Sequence, residues 1–261
     1  MASPSVDTTI SLPRILCLHG GGTNAAIFKA QCRGLRRALS ASFRLVFADG
    51  PFLCDPHPDI IPIYGGDGPF RRWLRWRASD GYVDAHTTIR LIHRQLSNAM
   101  EADDRLGGTG DWVGVLGFSQ GASICASYLW TQQALSGQPM ISNSKWRFGI
   151  LLAGRPPLVA LDERVKLPVG INTADAVASE FRYWPDGSGL GHVLRVPTLH
   201  VHGTADPGLE QHRRLLNQYC DPSTVRLVEW DGAHRVPLKK ADVDAVARII
   251  VDLAQEAEST I

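Results

Sequence analysis

The chain has 261 residues, 44% of them hydrophobic, and a formal net charge of +1 from 27 Lys and Arg against 26 Asp and Glu. That length and apolar content suit one α/β domain able to bury its own core. The balanced, scattered charge excludes the basic stripe of a nucleic-acid binder and the polybasic patch of a membrane-surface protein. The opening MASPSVDTTISLPR lacks the basic and then apolar blocks of a signal peptide. No apolar run reaches the roughly 18 residues of a spanning helix, so a cytoplasmic location is expected. The five cysteines are an odd count without metal-ligand spacing, and they read as reduced, structural residues.

Short apolar runs alternate with longer helical stretches, which predicts a mostly parallel central sheet with helices on both faces. RILCL (14–18) reads as a buried strand, followed by a helix over about 24–39 and a second strand at 43–49. Residues 50–80 form a long irregular stretch, and a connection of that length inside a compact domain usually serves a binding site. Helical spacing over 81–104 ends in the glycines of DRLGGTGD. WVGVLGF (112–118) predicts a strand leading into an amphipathic helix over about 119–135. Further strands are expected at 147–154, 195–203 and 224–230, with a terminal helix over about 238–257. Residues 155–192, with FRYWPDGSG, suit a cap-like insertion within the one domain spanning 1–261.

GFSQG at 117–121 places G-x-S-x-G between a buried strand and a helix, the context of a nucleophile elbow. Glycines flanking the turn let the chain fold back sharply, which lifts Ser119 above the strand's carboxyl end. A serine hydroxyl needs a base, and the base needs a group that fixes its tautomer. In the order Ser, acid, His, the candidates are Ser119, then Asp206 in VHGTADP, then His234 in DGAHRVP. Asp175 and Asp231 are the rival acids. His200 and His202 alternate on a strand and read as core residues, whereas His86, His93 and His212 fall on helices and are expected to face solvent. The backbone N–H of Gln120 is one oxyanion donor, and Gly21 or Gly22 in HGGGTN supplies the other. His19 either braces that loop or is merely packed.

The aromatics Phe52, Tyr64, Phe70, Trp73 and Trp76, with Phe181, Tyr183 and Trp184, are candidates to line an apolar cleft, of which Tyr64, Phe70, Trp73 and Trp184 are the leading substrate-binding residues. Sealing the core edge is the alternative for each. Arg71, Arg72, Arg75 and Arg77 either meet an anionic group or form a solvated face. No HExxH or comparable cluster is present, so neither a metal nor an organic cofactor is expected.

The segments ILCLHGGGTNAAIF, FADGP, FRRWLRW, GVLGFSQGAS, PTLHVHGTADP and GAHRVP, in that order, resemble the fungal serine hydrolases of the α/β-hydrolase superfamily. That family includes the thioesterase of lovastatin biosynthesis and the human ovarian-cancer-associated hydrolase. The resemblance spans about 13–255 and implies Ser119 as nucleophile, Asp206 as acid and His234 as base. It also implies a thioesterase releasing a polyketide acyl chain from the carrier domain of a synthase. GFSQG is similar, in addition, to the acyl-protein thioesterase and carboxylesterase group, although Ala122 stands where that group continues with glycine. A carboxylesterase for small oxygen esters, or a hydrolase fold that binds without catalysis, remains open on the residues alone.

Overall fold

The computed structural model describes residues 7–135, 138, 145–186 and 189–259. The first six residues of the segment lacking signal-peptide blocks, and Gly187 and Ser188 of the second insertion, lie outside them. The strands are β1 (Arg14–Leu18), β2 (Arg44–Ala48), β3 (Phe52–Leu53), β4 (Arg71–Arg72), β5 (Trp112–Phe118), β6 (Phe148–Leu152), β7 (Leu158–Val159), β8 (Ile171–Asn172), β9 (Thr198–Gly203) and β10 (Val225–Trp230). The helices are α1 (Ala25–Gln31), α2 (Arg33–Leu39), α3 (Ile61–Tyr64), α4 (Ala85–Arg105), α5 (Gln120–Ala134), α6 (Leu209–Tyr219) and α7 (Lys240–Ser259).

Six strands form the central sheet in the order β10-β9-β6-β5-β1-β2. Every pairing in it is parallel. The carboxyl ends of all six therefore share one edge, where ligands bind in open α/β sheets. One face is covered by α4 and α5, with Ile89, Ile92, Leu96, Ile124 and Leu129 buried against Leu16 and Val115. The other is covered by α1, α2 and α7, which bury Phe28, Leu35, Leu39, Val246 and Ile250 against Ile15, Cys17 and Leu116. Burial on both faces explains why the four inner strands, β1, β5, β6 and β9, read as continuous apolar runs rather than alternating ones. Among the described residues no helix is long and apolar enough to cross a membrane.

Two expectations need correction. The helix expected over 24–39 is broken at Cys32, whose φ of −81° and ψ of 9° end α1 and start α2. Asn24 caps α1 by accepting the Ile27 N–H at 2.9 Å. The second correction concerns α5, which is not amphipathic: every residue from Gly121 to Thr131 is buried. Its outer side is covered by the 155–192 insertion. Ser123 Oγ donates to the Arg155 carbonyl at 2.7 Å, and Ser127 Oγ and Thr131 Oγ1 accept from the Val159 and Leu161 N–H groups. Three hydroxyls spaced four residues apart thus satisfy a covering segment with little regular structure of its own. The second insertion packs over α5.

Candidate active site

The turn from β5 into α5 carries Ser119 at φ 53° and ψ −116°. That conformation is rarely adopted by a residue with a side chain, and it persists because its surroundings leave no alternative. A Cβ on Gly117 would stand 2.4 Å from the Gly121 backbone, and one on Gly121 would stand 2.1 Å from the Leu18 carbonyl oxygen. The two glycines let the elbow pack directly on β1.

Ser119 Oγ lies 3.0 Å from His234 Nε2, and His234 Nδ1 lies 2.7 Å from Asp206 Oδ2. Asp206 follows β9 and His234 follows β10, so adjacent parallel strands deliver both side chains to Ser119. With Nδ1–H donating to the carboxylate, Nε2 is left to accept the serine proton. Burial alone raises the Asp206 carboxyl, but hydrogen bonds from His212, His234 and the Gly208 N–H outweigh it and hold the group well below the usual carboxylate range. Of the rival acids, Asp175 lies 3.4 Å from the Tyr82 hydroxyl, away from this cluster, and Asp231 is exposed.

The glycine loop after β1 separates the two oxyanion candidates. Gly22 is corrected: its N–H already donates to the Arg71 carbonyl at 2.9 Å, and its φ of 75° sets it against His57. Gly21 lines the same cavity as Ser119. Gln120 opens α5, where its N–H has no intrahelical acceptor. Its side chain does a second job that no local pattern signals, with Oε1 accepting the Trp73 N–H at 2.7 Å and Nε2 donating to the Leu74 carbonyl at 3.1 Å. His19 braces the loop: Nδ1–H donates to the Gly20 carbonyl at 2.7 Å and Nε2 accepts the Gly50 N–H at 2.8 Å. Its burial pulls the imidazole down to about 4, so it stays neutral.

The cavity at Ser119 has a volume of about 470 Å³, within the ordinary range for small-molecule sites. Ile60, Ile63, Tyr64, Phe118, Val236 and Leu238 supply its apolar wall. Of the four leading substrate-binding residues only Tyr64 is among them. Trp73 is fully buried, with its indole N–H donating to the His19 carbonyl at 2.9 Å. Phe70 is half-buried beside the Gly68–Pro69 turn and does not reach the cavity. Trp184 packs edge-on against Phe181 at 4.9 Å, under the Arg214 guanidinium. These aromatics had backbone or side-chain anchors available away from the serine. The sequence missed His57, Ile60, Ile63, Val236 and Leu238, whose one available signal was their place in loops flanking strand ends.

Three of the four arginines of 71–77 turn inward, and Arg77 stays exposed. Arg71 donates to the Gly50 carbonyl, Arg72 stands over Phe52, and Arg75 donates to the Asp80 carbonyl. Exposed Arg33 and Arg235 reach the cavity instead.

The helical histidines divide. His86 is exposed and faces Glu163, as expected of a solvent-facing residue. His93 and His212 are corrected, being 3% and 1% exposed. His93 shares the buried stripe of Ile89, Ile92 and Leu96, and its Nε2 donates to the Leu161 carbonyl at 2.8 Å. His212 heads a stripe with Leu215, Leu216 and Tyr219, a spacing that marks an inward face. His200 and His202 are buried in β9, as expected, and burial pulls them down to about 3 and about 4. Asp206, His212 and His234 are close enough for one cation, but their atoms already hydrogen-bond one another at 2.7 and 3.0 Å.

A serine hydrolase (FSH1) family model matches residues 9–246. The chain belongs to that family. This hydrolase is 49% identical to "Esterase pigG" of Monascus ruber, over 97% of this chain and 95% of that one. It is 48% identical to "Esterase claE" of Penicillium crustosum, covering 96% of each. Solved structures with the same fold include a carboxylesterase from Mesorhizobium loti, 18% identical with a TM-score of 0.50, covering 92% of this chain and 88% of that one. ClbQ from the colibactin NRPS/PKS pathway is 14% identical with a TM-score of 0.52, covering 96% and 100%. The hydrolase thus has the α/β-hydrolase fold expected from its sequence.

Proposed function

We propose that this hydrolase cleaves acyl thioesters by a Ser119–His234–Asp206 triad, releasing a polyketide acyl chain from a carrier domain. The observation that carries the catalytic part is the unbroken hydrogen-bonded chain from Ser119 Oγ to Asp206, opening on an apolar cavity. As Oγ attacks the acyl carbon, His234 Nε2 takes its proton and Asp206 stabilises the imidazolium. The oxyanion accepts from the N–H groups of Gln120 and Gly21. Collapse expels the thiolate, which takes the proton from His234, and leaves an ester on Ser119. Water gives one proton to His234 as it attacks that ester; collapse returns that proton to Ser119 and releases the carboxylic acid, which ionises in solvent.

The carrier-bound substrate is supported by the sequence resemblance and by Arg33 and Arg235 at the cavity, which suit the phosphate of a phosphopantetheine arm. Oxygen-ester hydrolysis is the second reading, favoured by relatives that carry the name esterase. Wild type and Ser119→Ala are compared on a medium-chain acyl pantetheine thioester and its oxygen-ester analogue. The thioester is expected to be the faster substrate, with the mutant reduced by roughly 10⁴-fold or more. Preference for the oxygen ester would sink the thioesterase reading, and a mutant as active as wild type would sink the triad.

A further inference from the structure

The mechanism above leaves His212 unused, although this buried imidazole touches the triad acid. Its Nε2 lies 3.0 Å from Asp206 Oδ2 and its Nδ1 lies 3.0 Å from the Gly154 carbonyl oxygen. A carbonyl only accepts hydrogen bonds, and so does an ionised carboxylate. The same Oδ2 also receives the Nδ1–H of His234. Two acceptors demand two N–H groups, and an imidazole carries two only as the imidazolium. We infer that His212 is a permanently protonated positioning residue, which holds the Asp206 carboxylate in place and keeps His234 an unprotonated base at lower pH than Asp206 alone would allow. This inference rests on the triad reading for its effect on rate, but not for the charge of His212.

Either neutral tautomer would turn a ring lone pair toward an oxygen 3.0 Å away in a site closed to water. The Gly154 carbonyl is placed by Ala153, which has a φ of 50° and with Ser119 makes up the non-glycine residues of positive φ among those described. Strained backbone thus occurs at both ends of this cluster, as at sites where geometry is over-determined.

The charged and titratable groups around His212 come from four directions. His202 on β9 stands 5.6 Å away, ring to ring, and His234 stacks at 6.0 Å with a 23° tilt. His200 lies beyond His202, at 5.9 Å from it. Arg155, after β6, acts on Asp206 through its charge. Glu229 on β10 is 4.0 Å from His202 and is paired with Arg213 of α6. Burial keeps His200 and His202 neutral, and the charge of His212 pushes both further down. The imidazolium therefore belongs to His212, the one of these three hydrogen-bonded to a carboxylate.

A cation 6.0 Å from His234 opposes a second positive charge on that imidazole. Two measurements test this. In wild type labelled with ¹⁵N-histidine, one of the nine imidazoles is expected to stay doubly protonated to about pH 8, and its signal to vanish in His212→Gln. The pH profile of kcat/KM is then compared for wild type, His212→Gln and His212→Phe. Gln donates an N–H to Asp206 without charge, and Phe keeps only the shape. The acid limb is expected to move up by about one to two units in both, with the lower plateau in His212→Phe. A neutral His212 in wild type would overturn the proposal, as would folded variants whose acid limb does not move, however far the plateau falls. The spectrum reads the charge even if Ser119→Ala stays active, so failure of the triad and failure of this inference are distinguishable.

Discussion

Residues 57–64 present His57, Ile60, Ile63 and Tyr64 to the cavity, whereas residues 70–76 present none of Phe70, Trp73 and Trp76 to it. Both segments belong to the same long connection, and the aromatic one looked like the wall. The difference lies in anchors. Trp73 finds the His19 carbonyl for its indole and the Gln120 side chain for its backbone, and Trp76 lies under the Arg155 guanidinium at 4.5 Å. A large ring with such partners becomes the support beneath a site. Ile63, which is 75% exposed, lacks them and remains available to a ligand.

Substitutions set the two segments against each other most directly. Trp73→Ala removes a fully buried ring and is expected to cost about 3–5 kcal/mol in urea unfolding. A loss under about 1 kcal/mol would mean that the support is redundant. The same contrast holds between histidines, since His19 is buried beside Trp73 at 5.3 Å and His57 is half-exposed in the cavity. His19, His200 and His202 titrate near 4, 3 and 4 in the folded chain, below their ordinary 6.5. The unfolded chain takes up these protons first. The stabilisation is therefore present above pH 6.5 and lost as pH falls toward 4, by about 1.4 kcal/mol per pH unit for each histidine. Urea unfolding at about pH 7 and about pH 5 checks this; a flat profile would break it.

The smallest effects sharpen the boundary of the cavity. Ile63→Asp is expected to raise KM for an apolar acyl ester several-fold, with stability within about 0.5 kcal/mol of wild type. Trp184→Ala is expected to leave KM within about two-fold and to cost about 1 kcal/mol of stability through its lost ring and cation contacts. An inverted pattern, with KM following Trp184 and not Ile63, would restore the aromatic wall.

For the strands and the elbow, short-range rules were sufficient. Continuous apolar runs gave the buried parallel strands, and G-x-S-x-G between strand and helix gave the elbow at Ser119, because its glycines act within one turn. Asp206 and His234 were legible as candidates because parallel strands deposit their following loops on one edge, so order along the chain becomes proximity in space. The same logic placed Gly21 and Gly22 at the site without separating them. That took the Arg71 carbonyl, which claims the Gly22 N–H from 49 positions away in the chain.

What the tertiary structure alone decided is which long-range partner each side chain found. The stripe of α6 marks an inward face, but its spacing does not say that His212 meets Asp206 and the Gly154 carbonyl. Trp73 and Ile63 carry no local sign of support or lining, because burial depends on what the rest of the chain places beside them. Patterning records the period of an element and the chemistry of its turns. Hydrogen-bond partners and cavity walls arise from segments far apart in sequence, and they are fixed only when those segments pack.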